Sequence, residues 1–421
     1  MSVRLIFNHP QAPTHLHPQL HLGTIKLHTP VMAVVNPRQP FVCLRRLPKT
    51  KRTYSTTTAT PLPPAPPPSG AAKLSTRRLL SLHGPDAPKF LQGILTNNVV
   101  PTSHSPFFAA FLTAQGKVLH DVFVYPTLGS TFHTQNDKSE DQGYLVEVDA
   151  EQVATLLKHL KRHKLRSKFA LRVLEEGELD VWAAWREDQK WTPHPSPSGS
   201  NTDAEGNITA VDTRATGMGQ RILLPSTKPL NTHATMQGLN DAGIDAYTIR
   251  RYIRGVPEGQ SEIPRDDVLP MNSNIDIMGG IDFKKGCYVG QELTIRTHHT
   301  GVVRRRILPV CLYPSSSAPP EKIAYDENAM VGKPERGTEI KIEGKRGKPG
   351  KWINGVGNVG LAMCRLELMS DLQVTGEPST FSAEDRFVVK GEGEEQVGVK
   401  AFVPDWMRSK IRAPKLQRRV E

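Results

Sequence analysis

The chain has 421 residues, more than a single hydrophobic core usually spans, so two or three domains are expected. No run of about 18 apolar residues occurs, which argues against a membrane-spanning helix. The net charge of +12 is typical of nucleic-acid-binding proteins, but residues 1–54 hold eight of the lysines and arginines and no acid. The remainder has a net charge of only +4, so we expect no nucleic-acid partner.

The N-terminal segment has the composition of a mitochondrial transit peptide. The first acidic residue is Asp86, and before it lie basic, hydroxylated and scattered apolar residues. Arg52 stands shortly before Ser55, as in a matrix-processing site, which predicts a transit peptide over 1–54 and a mature protein in the mitochondrial matrix. A disordered basic tail is the alternative. The proline-rich residues 55–70 are predicted as an extended linker, and the folded body is predicted to begin near Ala71.

Strands and helices alternate in the next part of the chain. Residues 77–82 are predicted as a strand and 87–94 as a helix with apolar residues at i, i+3, i+4 and i+7, capped by Asp86. Apolar runs over 107–112 and 118–125 predict a hairpin. The remaining elements predicted up to residue 254 are a loop over 127–143, a strand over 144–148, a helix over 151–163, a loop over 194–206 and helices over 232–239 and 245–254, the last capped by Asp245.

The C-terminal part contains short strands separated by loops rich in proline and glycine, a pattern that predicts a small β-barrel or sandwich. We place the body at 71–300 and a C-terminal β-barrel domain with loop insertions at 301–421. The predicted strands span 305–312, 339–342, 356–366, 386–389 and 397–403, and the long loops span 313–336 and 343–351.

The four cysteines show no C-x-x-C pair and no disulfide spacing, which indicates a reducing compartment. Cys43 belongs to the predicted transit peptide, and Cys311 and Cys364 lie in apolar strands and are expected to be structural. Cys287 is different because Gly286 and Gly290 flank it closely, which predicts a tight, exposed turn. The adjacent lysines favour a thiolate. A buried, inert thiol is the alternative.

The segment 285–292 reads KGCYVGQE, which resembles the signature of the YgfZ-type family and of its mitochondrial members that act in iron–sulfur cluster assembly. Further blocks resemble the family over 84–93, 112–121, 255–259 and 401–406, so that the resemblance covers about residues 74–407. The family shares its fold with the glycine-cleavage T-protein, an aminomethyltransferase that binds tetrahydrofolate. The resemblance therefore implies an α+β fold with a T-protein-like folate-binding body and a C-terminal β-barrel.

The same resemblance implies roles for individual residues. The thiolate of Cys287 is the expected reactive group and the expected ligand of a transient or shared iron–sulfur cluster. Lys285, Gln291 and Glu292 are the other residues expected in the same catalytic site. One plausible thiolate is too few for a permanent cluster, which takes four ligands, so no permanent metal is expected. His298 and His299 follow as weaker ligand candidates. The candidates for the tetrahydrofolate pocket are Asp121, Asn97 and Arg251.

Two departures from the T-protein pattern weaken the case for aminomethyl transfer. T-proteins carry an aspartate pair where this chain has His120 and Asp121. The glutamate with which T-proteins contact folate corresponds to Ile253 in this chain. The alternative is that Glu258 or Glu292 supplies the missing carboxylate. An alkyl side chain does not replace a carboxylate that hydrogen-bonds a pterin without a loss of affinity or a change of pose.

Three hypotheses follow for the function. The first, which we favour, is an assembly factor that matures 4Fe–4S proteins such as aconitase and lipoyl or biotin synthases. Its expected partners are A-type scaffold proteins and 4Fe–4S apo-enzymes. This hypothesis rests on the family resemblance. The second is a tetrahydrofolate-dependent one-carbon transferase, so we leave open whether the protein is an enzyme. The third is an RNA-binding protein that uses the basic residues over 158–168, but interleaved aromatic residues for base stacking are missing there.

Overall fold

The structure, a computed structural model, describes residues 61–101, 103–136, 141–189, 202–227, 230, 233, 236–375 and 380–411. The predicted transit peptide over 1–54 lies outside the described residues, and so does Cys43. Most of the loop predicted over 194–206 and parts of the helix predicted over 232–239 also lie outside them.

The body consists of two antiparallel sheets, four helices that accompany them, and a helix that follows the cysteine motif. In chain order its elements are β1 (Ser69–Lys73), β2 (Arg77–His83), α1 (Ala87–Ile94), β3 (Phe107–Leu112), β4 (Val118–Pro126), α2 (Thr131–Asn136), β5 (Gly143–Asp149), α3 (Val153–Lys164), β6 (Ala170–Val173), β7 (Asp180–Arg186), β8 (Ile208–Val211), β9 (Gln220–Leu224), α4 (Gly243–Arg254) and α5 (Gln291–Thr300). One sheet has the strand order β3–β4–β5–β2–β6 and the other β1–β7–β9–β8.

The main core lies between the two sheets. Strand β4 is buried along its whole length, as expected for a strand covered on both faces. One of its faces contributes Phe123 and Tyr125 to this core, where Val181 and Trp185 of β7 approach from the other sheet. On the opposite face of the first sheet, the apolar stripes of α1 and α3 pack, with Leu91 and Leu156 fully buried. No helix in the described ranges is long and apolar enough to cross a bilayer.

The C-terminal strands close into a barrel, which confirms that part of the predicted fold class. The elements are β10 (Arg305–Pro314), β11 (Glu339–Ile342), β12 (Gly350–Val356), β13 (Val359–Arg365), α6 (Leu366–Met369), β14 (Phe387–Lys390), β15 (Gln396–Ala401) and α7 (Asp405–Arg408). Strand neighbours follow the order β10–β13–β12–β11–β14–β15. Helix α4 joins body and barrel because Ile249 and Tyr252 pack against barrel residues such as Ile307 and Leu361.

Of the two predicted helix caps, Asp86 lies at the predicted position but does not bond the helix, and Asp245 lies at a different position. Asp86 stands at the N-cap of α1 without capping it; its Oδ2 instead accepts a hydrogen bond from the backbone N–H of Lys168, at 2.6 Å. Asp245 lies within the first turn of α4. The carboxylate that binds the start of that helix belongs to Asp241, which accepts from the N–H of Gly243 at 2.9 Å.

Other boundaries also differ from the prediction. The strand predicted over 356–366 corresponds to β13, which begins only at Val359 because the chain turns at Gly357 with φ +56°, and most of β12 was not predicted. Helix α2 lies inside the loop predicted over 127–143, and β12 begins within the loop predicted over 343–351. Residues 61–70 of the predicted linker are attached to the rest of the protein, because Trp185 Nε1 donates to the Pro67 carbonyl at 3.0 Å and the Tyr325 hydroxyl donates to that of Pro63 at 2.6 Å.

Candidate functional site

Cys287 lies on an exposed loop that ends at helix α5, as the flanking glycines predicted. Gly290 is the residue before the helix and has φ +81°, a left-handed conformation that glycine adopts without strain. The other two cysteines that the structure describes are buried, and burial raises the pKa of the Cys311 thiol to about 11. Cys287 is therefore the thiol that solvent and a partner reach among the described residues.

The ammonium of Lys285 fastens this loop to the end of helix α1. Its Nζ donates to the carbonyls of Gln92 at 2.9 Å, Leu95 at 2.7 Å and Asn97 at 2.8 Å. The last carbonyls of a helix lack partners within it, and a cation there also stabilises the helix dipole. Burial lowers the pKa of Lys285 to about 8. Its three donor hydrogens serve α1, so we assign Lys285 a positioning role, while stabilisation of the thiolate by this residue stays a prediction.

Backbone bonds add to this attachment. The N–H of Val289 donates to the Gly93 carbonyl at 3.1 Å. The hydroxyl of Thr96 donates to the Gly280 carbonyl at 2.6 Å and accepts from the N–H of Ala110 at 2.8 Å. The loop before and after Cys287 is thus held against both α1 and the β3–β4 hairpin. The sequence did not indicate this contact of Thr96.

The other residues of the motif do not surround the thiol with ligands. Gln291 Oε1 accepts from the N–H of Tyr288 at 3.3 Å, which shapes the turn, and Glu292 is exposed in the first turn of α5. His298 stacks on Phe283 with ring centroids 3.5 Å apart. Within the described ranges, no group of three His, Cys, Asp or Glu side chains is placed to hold a metal ion. The roles predicted for Gln291 and Glu292 stay predictions.

We expect replacement of Lys285 by methionine to lower the free energy of unfolding by about 1–3 kcal/mol, since three carbonyls lose their donor while the apolar stem remains. Alkylation of Cys287, mapped by mass spectrometry, should accelerate as the loop loosens. Lys284→Met is the matched control because Lys284 is exposed in the same loop, and its effect should stay within about 0.5 kcal/mol. Equal effects of the two changes on stability and alkylation would show that the ammonium does not hold the loop.

The three folate candidates are all engaged within the protein. Asn97 Nδ2 donates to the carbonyls of Phe108 and Gly279, both at 2.9 Å. Asp121 is fully buried; its Oδ1 accepts from the N–H of Gly259 at 3.1 Å, and its Oδ2 lies 3.3 Å from Arg77 Nη1. Burial raises the pKa of Asp121, although the charge of Arg77 opposes the rise.

Arg251, the third candidate, lies apart from the other two and lines a cavity. Its guanidinium makes two hydrogen bonds to Glu262, at 2.7 and 2.9 Å, and a third to the Val256 carbonyl at 2.8 Å. The cavity has a volume of about 460 Å³ and is bordered by α4, the β1–β2 turn and Asn354 of the barrel. Neither Asn97 nor Asp121 lines it. The structure therefore does not bring the three predicted folate residues together.

The departures from the T-protein pattern have structural counterparts. His120 is fully buried, and burial lowers its pKa to about 3, so the imidazole is neutral. Ile253 packs in the apolar cluster between α4 and the barrel and does not line the cavity. Glu258 lines the cavity, but its Oε2 already accepts from Arg214, Arg221 and Tyr247. These bonds all fall on Oε2 of Glu258, and Glu292 is exposed on α5 and does not line the cavity.

Comparison with known proteins decides the family. Residues 304–409 match the family described as the CAF17 C-terminal beta-barrel domain. A protein of Coccidioides immitis is 44% identical over 373 residues, which cover 83% of this chain and 85% of that protein. A protein of Pyricularia oryzae is 46% identical over 360 residues, covering 82% and 86%. Both bear the name iron-sulfur cluster assembly factor IBA57 homolog, mitochondrial.

This chain belongs to the IBA57 family. The predicted family of mitochondrial iron–sulfur cluster assembly factors is thereby confirmed, together with the mitochondrial placement. A solved structure, the glycine cleavage system aminomethyltransferase T from Bartonella henselae, aligns with a TM-score of 0.53 at 13% identity and covers 83% of this chain and 88% of that one. At this identity the likeness concerns the fold alone, and it confirms the predicted T-protein-like α+β fold of this IBA57 family member.

Proposed function

We propose that this protein matures 4Fe–4S proteins in the mitochondrial matrix, with Cys287 as one ligand of a cluster shared with an A-type scaffold protein. The observation that carries the proposal is the exposed thiol on a loop held by Lys285. A cluster normally takes four thiolates, and the other described cysteines, Cys311 and Cys364, are buried. The remaining ligands therefore have to come from a partner, and apo-enzymes of the 4Fe–4S type receive the product.

The contribution of this chain's own residues follows from the geometry. Cys287 is open to solvent and to a partner, and its sulfur would serve as the ligand to iron. Lys285 and Gly290 keep the sulfur at a fixed place relative to α1 and the hairpin, so that a docking partner meets a preformed ligand. A rigid loop also leaves less conformational entropy to lose when the shared cluster forms.

Aconitase activity tests the proposal in mitochondria that are depleted of this protein and then re-supplied with variants. Wild type should restore aconitase, whereas Cys287→Ser should leave it at the depleted level although its thermal stability is unchanged. A 2Fe–2S enzyme measured alongside should not fall at all. Thr300→Ala is the matched control, since Thr300 is exposed at the end of α5 and bonds only within its own helix. Full rescue by Cys287→Ser would make the thiol dispensable and remove the proposed ligand.

Tetrahydrofolate, which the T-protein-like fold implies, is not supported by the residues predicted to bind it. The volume of about 460 Å³ is sufficient for a small molecule. A pterin, however, needs a carboxylate and donors that converge on it, and of the three predicted folate residues Arg251 alone lines the cavity, where Glu262 and the Val256 carbonyl occupy its Nη groups. We therefore propose that assembly, and not folate-dependent one-carbon transfer, is the function, and we route no step through folate.

We expect titration with tetrahydrofolate to give no saturable binding to the wild-type protein, measured by calorimetry. Arg251→Ala serves as the paired variant because Arg251 is the one predicted folate residue that lines the cavity. Saturable binding to the wild type that Arg251→Ala abolishes would reverse this conclusion and favour the folate-dependent transferase.

A further inference from the structure

Helix α3 and the turn after it form an exposed basic surface that the assembly function does not use. The helix buries Leu156 and Leu160 and turns its other side outward. We call the outward surface the basic turn; its exposed residues are Lys158, Lys161, Arg162, Leu165, Arg166 and Lys168. No acid occurs from Val153 to Leu174, so the positive charge is not offset along the chain.

Leu165 stands at the tip of the basic turn in an unusual state. It directly follows the last residue of α3, with φ +46° and ψ −113°, and it is 88% exposed. A large apolar residue rarely adopts positive φ, and such strain persists only where the surroundings hold it. The backbone here is held, because Ser167 N–H donates to the Lys164 carbonyl at 2.9 Å and Lys168 N–H donates to Asp86 at 2.6 Å.

The cations of the basic turn have no acidic partners in the part of the chain that the structure describes. None of them forms an ion pair with a described carboxylate, whereas on the barrel Lys348 pairs with Glu339 at 2.8 Å. Lys164, at the end of α3, lies over the ring of Phe169 at 4.9 Å instead of reaching an acid. Asp86 contacts the turn through the backbone N–H of Lys168, but one carboxylate does not offset the five exposed cations around Leu165.

We propose that the basic turn docks the protein on an anionic lipid membrane, with Leu165 inserted among the acyl chains and the cations at the headgroups. Lysine and arginine near an anionic surface each strengthen binding, and an inserted leucine adds burial of apolar area. RNA is the other polyanion to consider. Base recognition needs exposed aromatic rings, and Phe169, the aromatic residue of this segment, is only 6% exposed and packs on Phe90.

Vesicle flotation of the full chain tests this proposal, with vesicles of phosphatidylcholine alone or mixed with phosphatidylglycerol. The wild type should bind the mixed vesicles and release as salt rises. Lys161→Glu with Arg162→Glu should weaken binding at least about 25-fold, because each lost cation accounts for about fivefold. Leu165→Asn should weaken it about tenfold without loss of thermal stability, since a side chain that is 88% exposed contributes little packing to the folded state.

The matched control is Lys322→Glu with Lys333→Glu, which changes the net charge equally at two exposed lysines of a barrel loop. The basic N-terminal segment is present in every variant and contributes equally. The control should bind as the wild type does. If it loses as much binding as the basic-turn variants, or if Leu165→Asn binds like the wild type while RNA displaces the protein from vesicles, the membrane proposal is overturned.

Discussion

Replacement of Gly290 by alanine is expected to lower the free energy of unfolding by about 2–4 kcal/mol and to displace the Cys287 loop. A Cβ at this position would lie 2.1 Å from the Thr113 carbonyl oxygen and 2.9 Å from the Leu112 Cβ. Both belong to the end of the β3–β4 hairpin, whose backbone has no flexible end that can move aside. Overpacking of this kind costs about 1–3 kcal/mol, and the left-handed φ of +81° adds about 1 kcal/mol for a non-glycine residue.

Chemical denaturation, the rate of Cys287 alkylation and aconitase rescue together measure this effect. Gly279→Ala is the matched control, because Gly279 precedes the same loop with φ +79° and a Cβ there meets nothing within 4 Å. The free energy of unfolding of this variant should therefore fall only by the cost of the left-handed backbone conformation, about 1 kcal/mol. The variant should restore aconitase activity nearly as well as the wild type. If the two alanine variants lose stability equally, the contact with Thr113 is not what seats the loop.

Periodicity in the sequence predicted the elements whose apolar pattern matches their burial. The i, i+3, i+4, i+7 pattern of α1 corresponds to a buried face that contains Phe90, Leu91 and Ile94. The hairpin of β3 and β4 was predicted because two apolar runs flank a short polar turn, and the register pairs Phe108 with Phe123. These are local signals, and they are confirmed because burial follows the same period as the side chains.

Elements without a local signal were missed. Helix α5 is largely polar and buries only Thr294, so no apolar stripe marked it. Strand β12 was missed because its first residues follow a glycine- and lysine-rich run that predicted a loop over 343–351, and the strand predicted over 356–366 included the turn at Gly357. Strands β6, β8 and β9 are short, and β8 pairs with β9 across a connection that contains no regular periodicity. Tertiary pairing, not propensity, determines such strands.

The candidate site likewise combines features that the sequence predicted with features that it did not indicate. The glycines around Cys287 predicted an exposed thiol, and that part is confirmed. The sequence could not indicate that Lys285 binds the end of α1, because its acceptors are backbone carbonyls about 190 residues away, and every residue carries such a carbonyl. Long-range contacts with the main chain leave no trace in residue identity, so the function of this lysine required the structure.

The buried ion-pair network beneath the cavity was also beyond the sequence, and it gives the second large expected effect. Glu258 lies at its centre, only 5% exposed, and its Oε2 accepts from Arg214 at 2.8 Å, from Arg221 and from the Tyr247 hydroxyl at 2.8 Å. Burial alone would raise the pKa of Glu258, but the surrounding arginines hold it well below its usual range. The carboxylate therefore stays ionised and compensates buried positive charge.

Glu258→Ala is expected to lower the free energy of unfolding by about 3–5 kcal/mol, because it leaves buried guanidinium groups without their counter-charge. The matched control is Asp371→Ala, which removes a carboxylate that binds Arg408 through both oxygens, at 2.8 and 3.0 Å, on the exposed surface. That pair should contribute at most about 1 kcal/mol, since water screens it. Both values come from denaturant titration of the two variants beside the wild type.

A double variant separates lost attraction from uncompensated charge. Glu258→Ala combined with Arg221→Met removes both the central carboxylate and one of the guanidiniums that depended on it, so its loss of stability should be smaller than the sum of the two single losses. The coupling should amount to at least about 1 kcal/mol. Strict additivity, or a loss for Glu258→Ala no larger than that for Asp371→Ala, would mean that the carboxylate is not what neutralises the core of the body.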